Sequence, residues 1–103
     1  MSAGIRLFDM TNQTAIVTGG SKGLGKAMAA GLASAGARIA LVSRNLAEAE
    51  SAANEIASEY DTEVIGLQVD VTQQSAVEEL VATVTERFGR IDALINNAGI
   101  NIR

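Results

Sequence analysis

Four short apolar segments alternate with three stretches of helical periodicity, and this alternation limits the fold more than any other feature of the chain. The apolar segments predict strands at 14–18, 38–43, 63–69 and 91–95. Short connections between strands and helices indicate βαβ units, whose crossovers are right-handed almost without exception. The sequence therefore predicts an α/β fold in which helices cover both faces of a doubly wound parallel sheet.

The residues at the ends of the helical stretches are typical helix caps. Asn45, followed by Glu48, predicts an N-cap with a capping box at the start of the second helix. Thr72 is expected to cap the third helix. Gly36 and Gly89 stand where the first and third helices should end, because glycine readily adopts the left-handed conformation of a C-terminal cap.

Apolar residues at helical spacing predict which face of each helix packs on the sheet. In the first helix, expected over 23–35, they are Leu24, Ala27, Met28, Gly31, Leu32 and Ala35. In the third helix they are Val77, Leu80, Val81, Val84 and Phe88. The stripe of the second helix ends at Tyr60, the one tyrosine of the chain, and this position favours packing over catalysis.

Composition excludes several kinds of chemistry. The 103 residues contain neither Cys nor His, which excludes disulfides, a thiolate nucleophile, a Ser-His-Asp triad and the usual zinc sites. A net charge of −4, with the basic residues scattered singly, argues against a nucleic-acid partner. No apolar run approaches the length of about 20 residues that a membrane span needs, and no secretory signal precedes the first strand. The chain is therefore predicted to be cytoplasmic, without a membrane or metal partner.

A glycine-rich loop joins the first strand to the first helix. It reads Thr18-Gly19-Gly20-Ser21-Lys22-Gly23-Leu24-Gly25. Glycine permits a tight turn and lets backbone N–H groups approach a pyrophosphate, which the positive end of the helix dipole also attracts. We expect Ser21 to offer its hydroxyl or amide to phosphate. A glycine-rich turn without a ligand is the alternative, although the position between a strand and a helix favours binding.

The loop resembles the T-G-x-x-x-G-x-G motif of short-chain dehydrogenases/reductases. Asp70-Val71 resembles the adenine-contacting pair of that family, and Asn96-Asn97-Ala98-Gly99 matches its N-N-A-G signature. The resemblance implies the N-terminal half of a Rossmann fold, with strand order 3-2-1-4. It places an N-terminal tail at 1–12 and the dinucleotide-binding half-domain at 13–103. The lead-in Leu7-Phe8-Asp9-Met10 is similar to gluconate 5-dehydrogenase and 3-oxoacyl-carrier-protein reductase groups.

The resemblance also implies a cofactor site. The loop would contribute Gly19, Ser21, Lys22, Gly23, Leu24 and Gly25, and the strand ends Asp70, Val71, Asn97, Ala98 and Gly99. Asp70 can pair with the adenine amino group or serve only as a local cap. Asn97, Ala98 and Gly99 would line the floor beneath the adenosine ribose, or tie the central strands together through amide hydrogen bonds, or do both.

The end of the second strand selects the cofactor. It carries Ser43, Arg44 and Asn45, where an acidic residue would usually bind the ribose 2′-hydroxyl of NAD. A guanidinium can grip a 2′-phosphate with two parallel hydrogen bonds, and Lys22 is a second cation able to reach it. Ser43 is expected to accompany Arg44 there. These residues predict NADP(H), the alternative being that both cations are solvated surface charges.

The family's catalytic Tyr-x-x-x-Lys pattern is missing. The residue four positions after Tyr60 is Val64, and Lys22 and Lys26 both lie in the first third of the chain. We therefore expect a cofactor-binding part of an oxidoreductase that ends before its catalytic segment, with no catalytic residue among these 103. The alternative is a non-catalytic nucleotide-binding or structural half-domain. In either case the uncovered edge of the fourth strand predicts a homo-oligomer or an exchange of elements between chains.

Overall fold

The computed structural model describes residues 9–70 and 72–97. Strands and helices alternate as the sequence predicts, and the elements in chain order are β1 (Thr14–Thr18), α1 (Gly23–Ser34), β2 (Arg38–Ser43), α2 (Leu46–Glu59), β3 (Val64–Gln68), α3 (Gln74–Phe88) and β4 (Ala93–Asn96). The bounds of β1 and β2 agree with the prediction. β3 is shorter by one residue at each end, and β4 begins two residues later than predicted.

The four strands form one parallel sheet in the order β3-β2-β1-β4, which confirms the predicted α/β topology. β1 lies in the interior, where Val17 is opposite Leu41 of β2 on one side and Ile95 of β4 on the other. All five residues of β1 are buried. A strand covered on both faces has no polar side, which is why β1 reads as an unbroken apolar run.

Helices α1 and α2 cover one face of the sheet. The buried residues beneath them are mostly small, and α1 contributes Gly25, Ala29 and Ala33. The apolar stripe predicted for α1 is therefore wrong in part: Leu24 is 59% exposed, and Ala27 and Gly31 are exposed as well. The reason is steric, because a Cβ on Gly25 would stand 2.1 Å from the Gly19 carbonyl oxygen and only a small residue fits there.

Among the described helices, α3 is the one that covers the other face. It buries Leu80, Val84 and Phe88 against Ile16, Ala40 and Val42 of the sheet, as its predicted stripe requires. Two further apolar residues on this side remain open to solvent: Val81 is 41% exposed and Leu94 of β4 is 57% exposed. They border a small cleft that also touches Val77 and Leu80. This face is thus covered less completely than the face under α1 and α2.

The helix ends follow the predicted caps with one exception. After α1, the Gly36 N–H donates to Ala33 O at 2.9 Å and the Ala37 N–H donates to Leu32 O at 3.1 Å, which together form a Schellman motif around Gly36. Gly36 and Gly89 both have positive φ, at 100° and 84°.

The exception is Thr72, which does not cap α3. The N-cap of α3 is Gln73, and it makes no side-chain capping bond. The Thr72 hydroxyl instead donates to Asp70 Oδ1 at 2.6 Å, so the preceding turn already uses it.

Asp92 joins the starts of β1 and β4. Its Oδ2 accepts from the Thr14 N–H at 2.8 Å, and its own N–H donates to the Thr14 carbonyl at 2.8 Å. Hydrogen bonds from the Arg90 guanidinium and the Thr14 amide lower the pKa of the Asp92 carboxyl below its ordinary value. The carboxylate therefore takes the place of a ladder bond, and β4 begins after it.

Two parts of the predicted domain division concern the N-terminal residues. Residues 1–8 lie outside the described residues. Of the others predicted to form a tail, Met10 donates its N–H to Ala35 O at 2.8 Å and packs against the core under α1 and α2. The boundary at residue 13 stays a prediction. Within the described residues, no helix combines the length and apolar character that a bilayer crossing requires.

Candidate functional site

The predicted site residues lie where β1, β2, β3 and β4 end, at the carboxyl edge of the sheet. In parallel α/β sheets this edge is the usual place for a ligand. The loop after β1 crosses it with two glycines in the left-handed region, Gly19 at φ 66° and Gly23 at φ 55°. The Gly19 N–H donates to Val42 O at 2.8 Å, which holds the loop against the end of β2. The backbone of this loop therefore runs close to the end of the neighbouring strand.

The first turn of α1 points its amide groups out of this loop. Lys22 is the N-cap, and the first bond of the helical ladder is from the Lys26 N–H to Lys22 O at 3.3 Å. The amides of Gly23, Leu24 and Gly25 precede that bond, so the ladder does not use them. The first turn contains no acidic residue. Its N–H groups and the helix dipole together suit an anion such as a phosphate.

Asn97 ties the end of β4 to the glycine loop. Its Nδ2 donates to Gly19 O at 3.3 Å, next to the point where Gly25 packs against the same carbonyl. The neighbouring Asn96 accepts a hydrogen bond from the Thr18 hydroxyl at 2.8 Å. The tie between the central strands that the sequence left open as one role of Asn97 is therefore present. A role of Asn97 in binding stays a prediction.

A cavity of about 390 Å³ lies beside the loop, between the ends of β2 and β3. This volume falls in the range of about 300–1,000 Å³ that is usual for small-molecule sites. Its lining brings together five of the predicted residues and four that were not predicted to bind. They are Gly19, Ser43, Arg44, Asn45 and Asp70, with Val42, Glu48, Val69 and Thr72.

A chain of hydrogen bonds fixes the backbone on both sides of Arg44. Ser21 Oγ and Ser43 Oγ are 3.4 Å apart, and Ser43 Oγ accepts from the Asn45 N–H at 3.1 Å. The Arg44 carbonyl accepts from Gln68 Nε2 at 3.0 Å. With its backbone held, Arg44 keeps an exposed guanidinium at the wall of the cavity.

Asn45 caps α2 as predicted, but the capping box is only half formed. Asn45 Oδ1 accepts from the Glu48 N–H at 3.1 Å. The reciprocal bond is replaced by others, because the Asn45 N–H donates to Ser43 and the Glu48 carboxylate pairs with Lys22. Glu48 lies in the first turn of α2 and also lines the cavity.

Asp70 stands across the cavity from the end of β2 and forms a local turn. Its Oδ1 accepts from the Thr72 N–H at 3.0 Å and from the Thr72 hydroxyl at 2.6 Å. These two bonds, and the positive charge of Arg44, lower the pKa of the Asp70 carboxyl. The carboxylate is therefore charged at neutral pH. These bonds close a local turn before α3 but do not cap the helix, whose N-cap is Gln73, and the adenine contact stays a prediction.

The remaining predicted site residues lie at the rim of this cavity, at the start of α1 or outside the described residues. Lys22 and Ser21 reach the cavity wall through Glu48 and Ser43. Gly23 and Leu24 form the exposed start of α1, and Gly25 after them is buried. Val71, Ala98 and Gly99 lie outside the described residues. A larger cavity of about 730 Å³ lies along the open edge of β3 and contains none of the predicted residues.

Of the four lining residues that were not predicted to belong to the site, two were predicted only as helix caps. They are Glu48 and Thr72. Glu48 follows the end of β2 by only five residues, and this position in the sequence indicates that it lies near the end of that strand. Tyr60, by contrast, packs against the core under α1 and α2, which agrees with the packing role predicted for it. A hydrogen bond with Glu59 raises the pKa of its phenol, the opposite of what acid–base work at neutral pH requires.

Comparison with known proteins gives a consistent family. The family model described as short chain dehydrogenase matches residues 13–103. The chain is 43% identical over 93 residues to the uncharacterized oxidoreductase YgcW of Escherichia coli, covering 90% of this chain and 35% of that protein. It is 39% identical over 94 residues to a 3-oxoacyl-[acyl-carrier-protein] reductase of Synechocystis, covering 88% and 37%. The chain thus spans about a third of the length of the curated relatives it matches.

A solved structure with the same fold is L-sorbose reductase of Gluconobacter frateurii, complexed with NADPH and L-sorbose. It superposes with a TM-score of 0.84 at 35% identity, over 91% of this chain and 36% of that one. The similarity to an acyl-carrier-protein reductase and to this structure agrees with the resemblance read from the three sequence motifs.

Proposed function

Because the chain belongs to the short chain dehydrogenase family, we propose that it binds NADP(H) and forms the cofactor-binding part of an oxidoreductase. The adenosine half of the cofactor would occupy the cavity between β2 and β3, and its pyrophosphate would lie on the first turn of α1. When bound, the cofactor supplies the hydride that such an enzyme transfers between an alcohol and a carbonyl.

The observation that carries the proposal is the position of Arg44. Its exposed guanidinium stands at the end of β2, in the wall of the cavity, where NAD-binding folds usually place a carboxylate for the ribose 2′-hydroxyl. A guanidinium at this place attracts a 2′-phosphate and binds it with charge-assisted hydrogen bonds. Ser43 lies beside it, and Lys22 is within reach of the same cavity wall through Glu48.

The glycine loop supports the pyrophosphate part of the proposal. The three amides at the start of α1 are outside the helical ladder, and a Cβ placed on Gly23 would meet no atom within 4 Å, so the space beside this residue is open. Asp70 supports the adenine part, because its carboxylate faces the cavity and can accept from an exocyclic amino group.

The structural neighbour supports the choice of cofactor. L-sorbose reductase shares this fold at 35% identity and is described as complexed with NADPH. We propose that these 103 residues bind the cofactor without turning over a substrate. The residue four positions after Tyr60 is Val64, where the Tyr-x-x-x-Lys pattern of the family has lysine. The cytoplasmic location predicted from the sequence stays a prediction.

The proposal is tested by titrating the chain with NADPH and with NADH in a calorimeter. NADPH should bind more tightly, and Arg44→Ala should weaken NADPH by about ten- to a hundredfold, the loss of about 1.5–3 kcal/mol expected for a charged hydrogen-bonding group. NADH should change little. Arg87→Ala, which removes an arginine from the far end of α3, is the matched control.

Equal affinity for the two cofactors, or an Arg44→Ala variant that binds NADPH as the parent does, would contradict the assignment. An NADPH oxidation assay with a panel of ketones tests the expected absence of turnover, which the alternative, a non-catalytic nucleotide-binding or structural half-domain, expects as well. Turnover above background would show that the chain does more than bind.

The open edge of β4 supports a second part of the proposal, self-association. Among the described residues, β4 pairs with β1 on one side only, and the side chain of Leu94 in β4 is exposed. An edge strand with apolar side chains readily pairs with another chain. A second copy of this chain, or an element exchanged with it, would cover this edge.

A further inference from the structure

An ion pair joins the starts of the two helices that flank the proposed phosphate site. Lys22 Nζ is 3.4 Å from Glu48 Oε2, and the two side chains are 75% and 40% exposed. Lys22 is the N-cap of α1, and Glu48 is in the first turn of α2. One of the two cations assigned to the 2′-phosphate therefore already has an anionic partner.

Glu48 is well placed to keep that partner role. The N-cap bond from its own N–H to Asn45 Oδ1 fixes its backbone, and Asn45 in turn is held by Ser43. Its carboxylate also lies in the wall of the cavity that Arg44 lines. A phosphate arriving at Arg44 meets a negative charge that competes with it for the Lys22 ammonium.

Resting on the proposed function, we propose that Glu48 is a specificity-determining residue that competes with the cofactor 2′-phosphate for Lys22. Binding of NADPH would require the Lys22–Glu48 pair to separate, whereas NADH has no 2′-phosphate with which to displace the carboxylate. Glu48 would thereby reduce the preference for NADPH that Arg44 and Lys22 create.

The chain offers a matched control for this proposal. Lys26 Nζ and Glu55 Oε1, 2.8 Å apart, form a second ion pair between the same two helices. Glu55 does not line the 390 Å³ cavity. Glu55→Gln therefore removes the same charge from α2 and the same kind of pair from the α1–α2 contact, while leaving Lys22 and its partner in place.

The experiment measures dissociation constants for NADPH and NADH with the parent chain, Glu48→Gln and Glu55→Gln. Glutamine keeps the shape of the side chain and the backbone cap. An exposed ion pair contributes about 0.2–1 kcal/mol, so release of Lys22 should tighten NADPH by about 1.4-fold to fivefold in Glu48→Gln. NADH should change by less than this, and Glu55→Gln should leave both constants unchanged.

A double-mutant cycle tests whether Glu48 acts through Lys22. In the Lys22→Ala background, Glu48→Gln should no longer tighten NADPH. If it still does, Glu48 repels the phosphate directly and the proposed competition is wrong. Equal tightening of NADPH and NADH, or the same change in Glu55→Gln, would also overturn it.

The outcomes separate this inference from the function on which it rests. If the parent chain shows no preference for NADPH, the proposed function fails. If the parent prefers NADPH and Arg44→Ala removes the preference, but Glu48→Gln behaves as the parent does, only the role of Glu48 fails. Thermal unfolding of each variant, followed by circular dichroism, verifies that the proteins compared are folded.

Discussion

The two faces of the sheet are closed in different ways. Under α1 and α2 the contact is made largely by alanine and glycine, so both helices lie close to the strands. Under α3 it is made by three larger side chains, Leu80, Val84 and Phe88, and part of the sheet remains open. Packing on the first face requires small side chains that let the helices approach the strands. Packing on the second face depends on a few large buried side chains.

This difference explains where the proposed site lies. Close approach of α1 brings its first turn, and therefore its amide groups, against the loop after β1, because Gly25 packs on the Gly19 carbonyl. In the described residues at the start of α3, by contrast, Gln73 makes no side-chain cap and the Thr72 hydroxyl bonds to Asp70. The face built from small residues is thus the face that can present an anion-binding helix end.

The largest expected effect is on the α3 face. Phe88→Ala should lower the free energy of unfolding by about 3–5 kcal/mol, because it removes a buried aromatic ring and leaves a cavity between α3 and the sheet. The ring also lies 5.6 Å from the Arg38 guanidinium, and that cation–π contact would be lost. Urea denaturation followed by circular dichroism measures the change.

Val81→Ala is the matched control for Phe88→Ala on the same helix. Val81 is 41% exposed, so its truncation should cost less than about 1 kcal/mol. Equal losses in the two variants would mean that α3 is not anchored by its large buried residues, and the contrast between the faces would no longer hold.

Gly25→Ala is expected to have the next largest effect and to act through the opposite cause. The added Cβ would stand 2.1 Å from the Gly19 carbonyl oxygen and 2.8 Å from Asn97 Nδ2, so α1 or the loop must shift. Overpacking of this kind costs about 1–3 kcal/mol, and here we expect the upper end because the nearest atom is backbone. The same variant should also weaken NADPH by displacing the first turn of α1.

Gly31→Ala gives the internal reference for that variant. A Cβ at Gly31 meets no atom within 4 Å, and alanine is the better helix former by up to about 1 kcal/mol. This substitution should therefore stabilise the chain. If Gly25→Ala were equally stabilising, the close approach of α1 would not be a requirement of the fold.

The same contrast accounts for what the sequence could and could not predict. β1 and β2 were predicted with their observed bounds, because strands buried on both faces leave an unbroken apolar pattern. The buried face of α1 was predicted wrongly in part, since a count of apolar residues favours Leu24 over Gly25, whereas the steric contact favours the reverse. Small residues carry little hydrophobic signal, so packing that depends on them is hard to read from sequence.

The candidate site shows a similar limit. The placement of Arg44 at the end of β2 follows from the strand pattern alone, and the structure puts its side chain at the cavity. The pairing of Glu48 with Lys22 joins residues from two different helices, and only the folded chain brings them together. Sequence reasoning therefore predicted the cations of the site but not the carboxylate beside them.

The smallest effect on stability is expected at the open part of the α3 face, and it sharpens the comparison most directly. Leu94→Lys replaces a side chain that is 57% exposed, so the free energy of unfolding should change by less than about 0.5 kcal/mol. Its charge should nevertheless oppose pairing of β4 with a second copy, because charged side chains prevent association of edge strands. Size-exclusion chromatography with light scattering should show an oligomer for the parent chain at high micromolar concentration and a monomer for Leu94→Lys.

Val81→Lys, on the helix rather than the strand, tells the two surfaces apart. If Val81→Lys disperses the oligomer and Leu94→Lys does not, the face of α3 and not the edge of β4 carries the contact. A parent chain that is monomeric throughout this range would instead mean that one exposed leucine on a four-residue strand is too small a surface to hold two copies together.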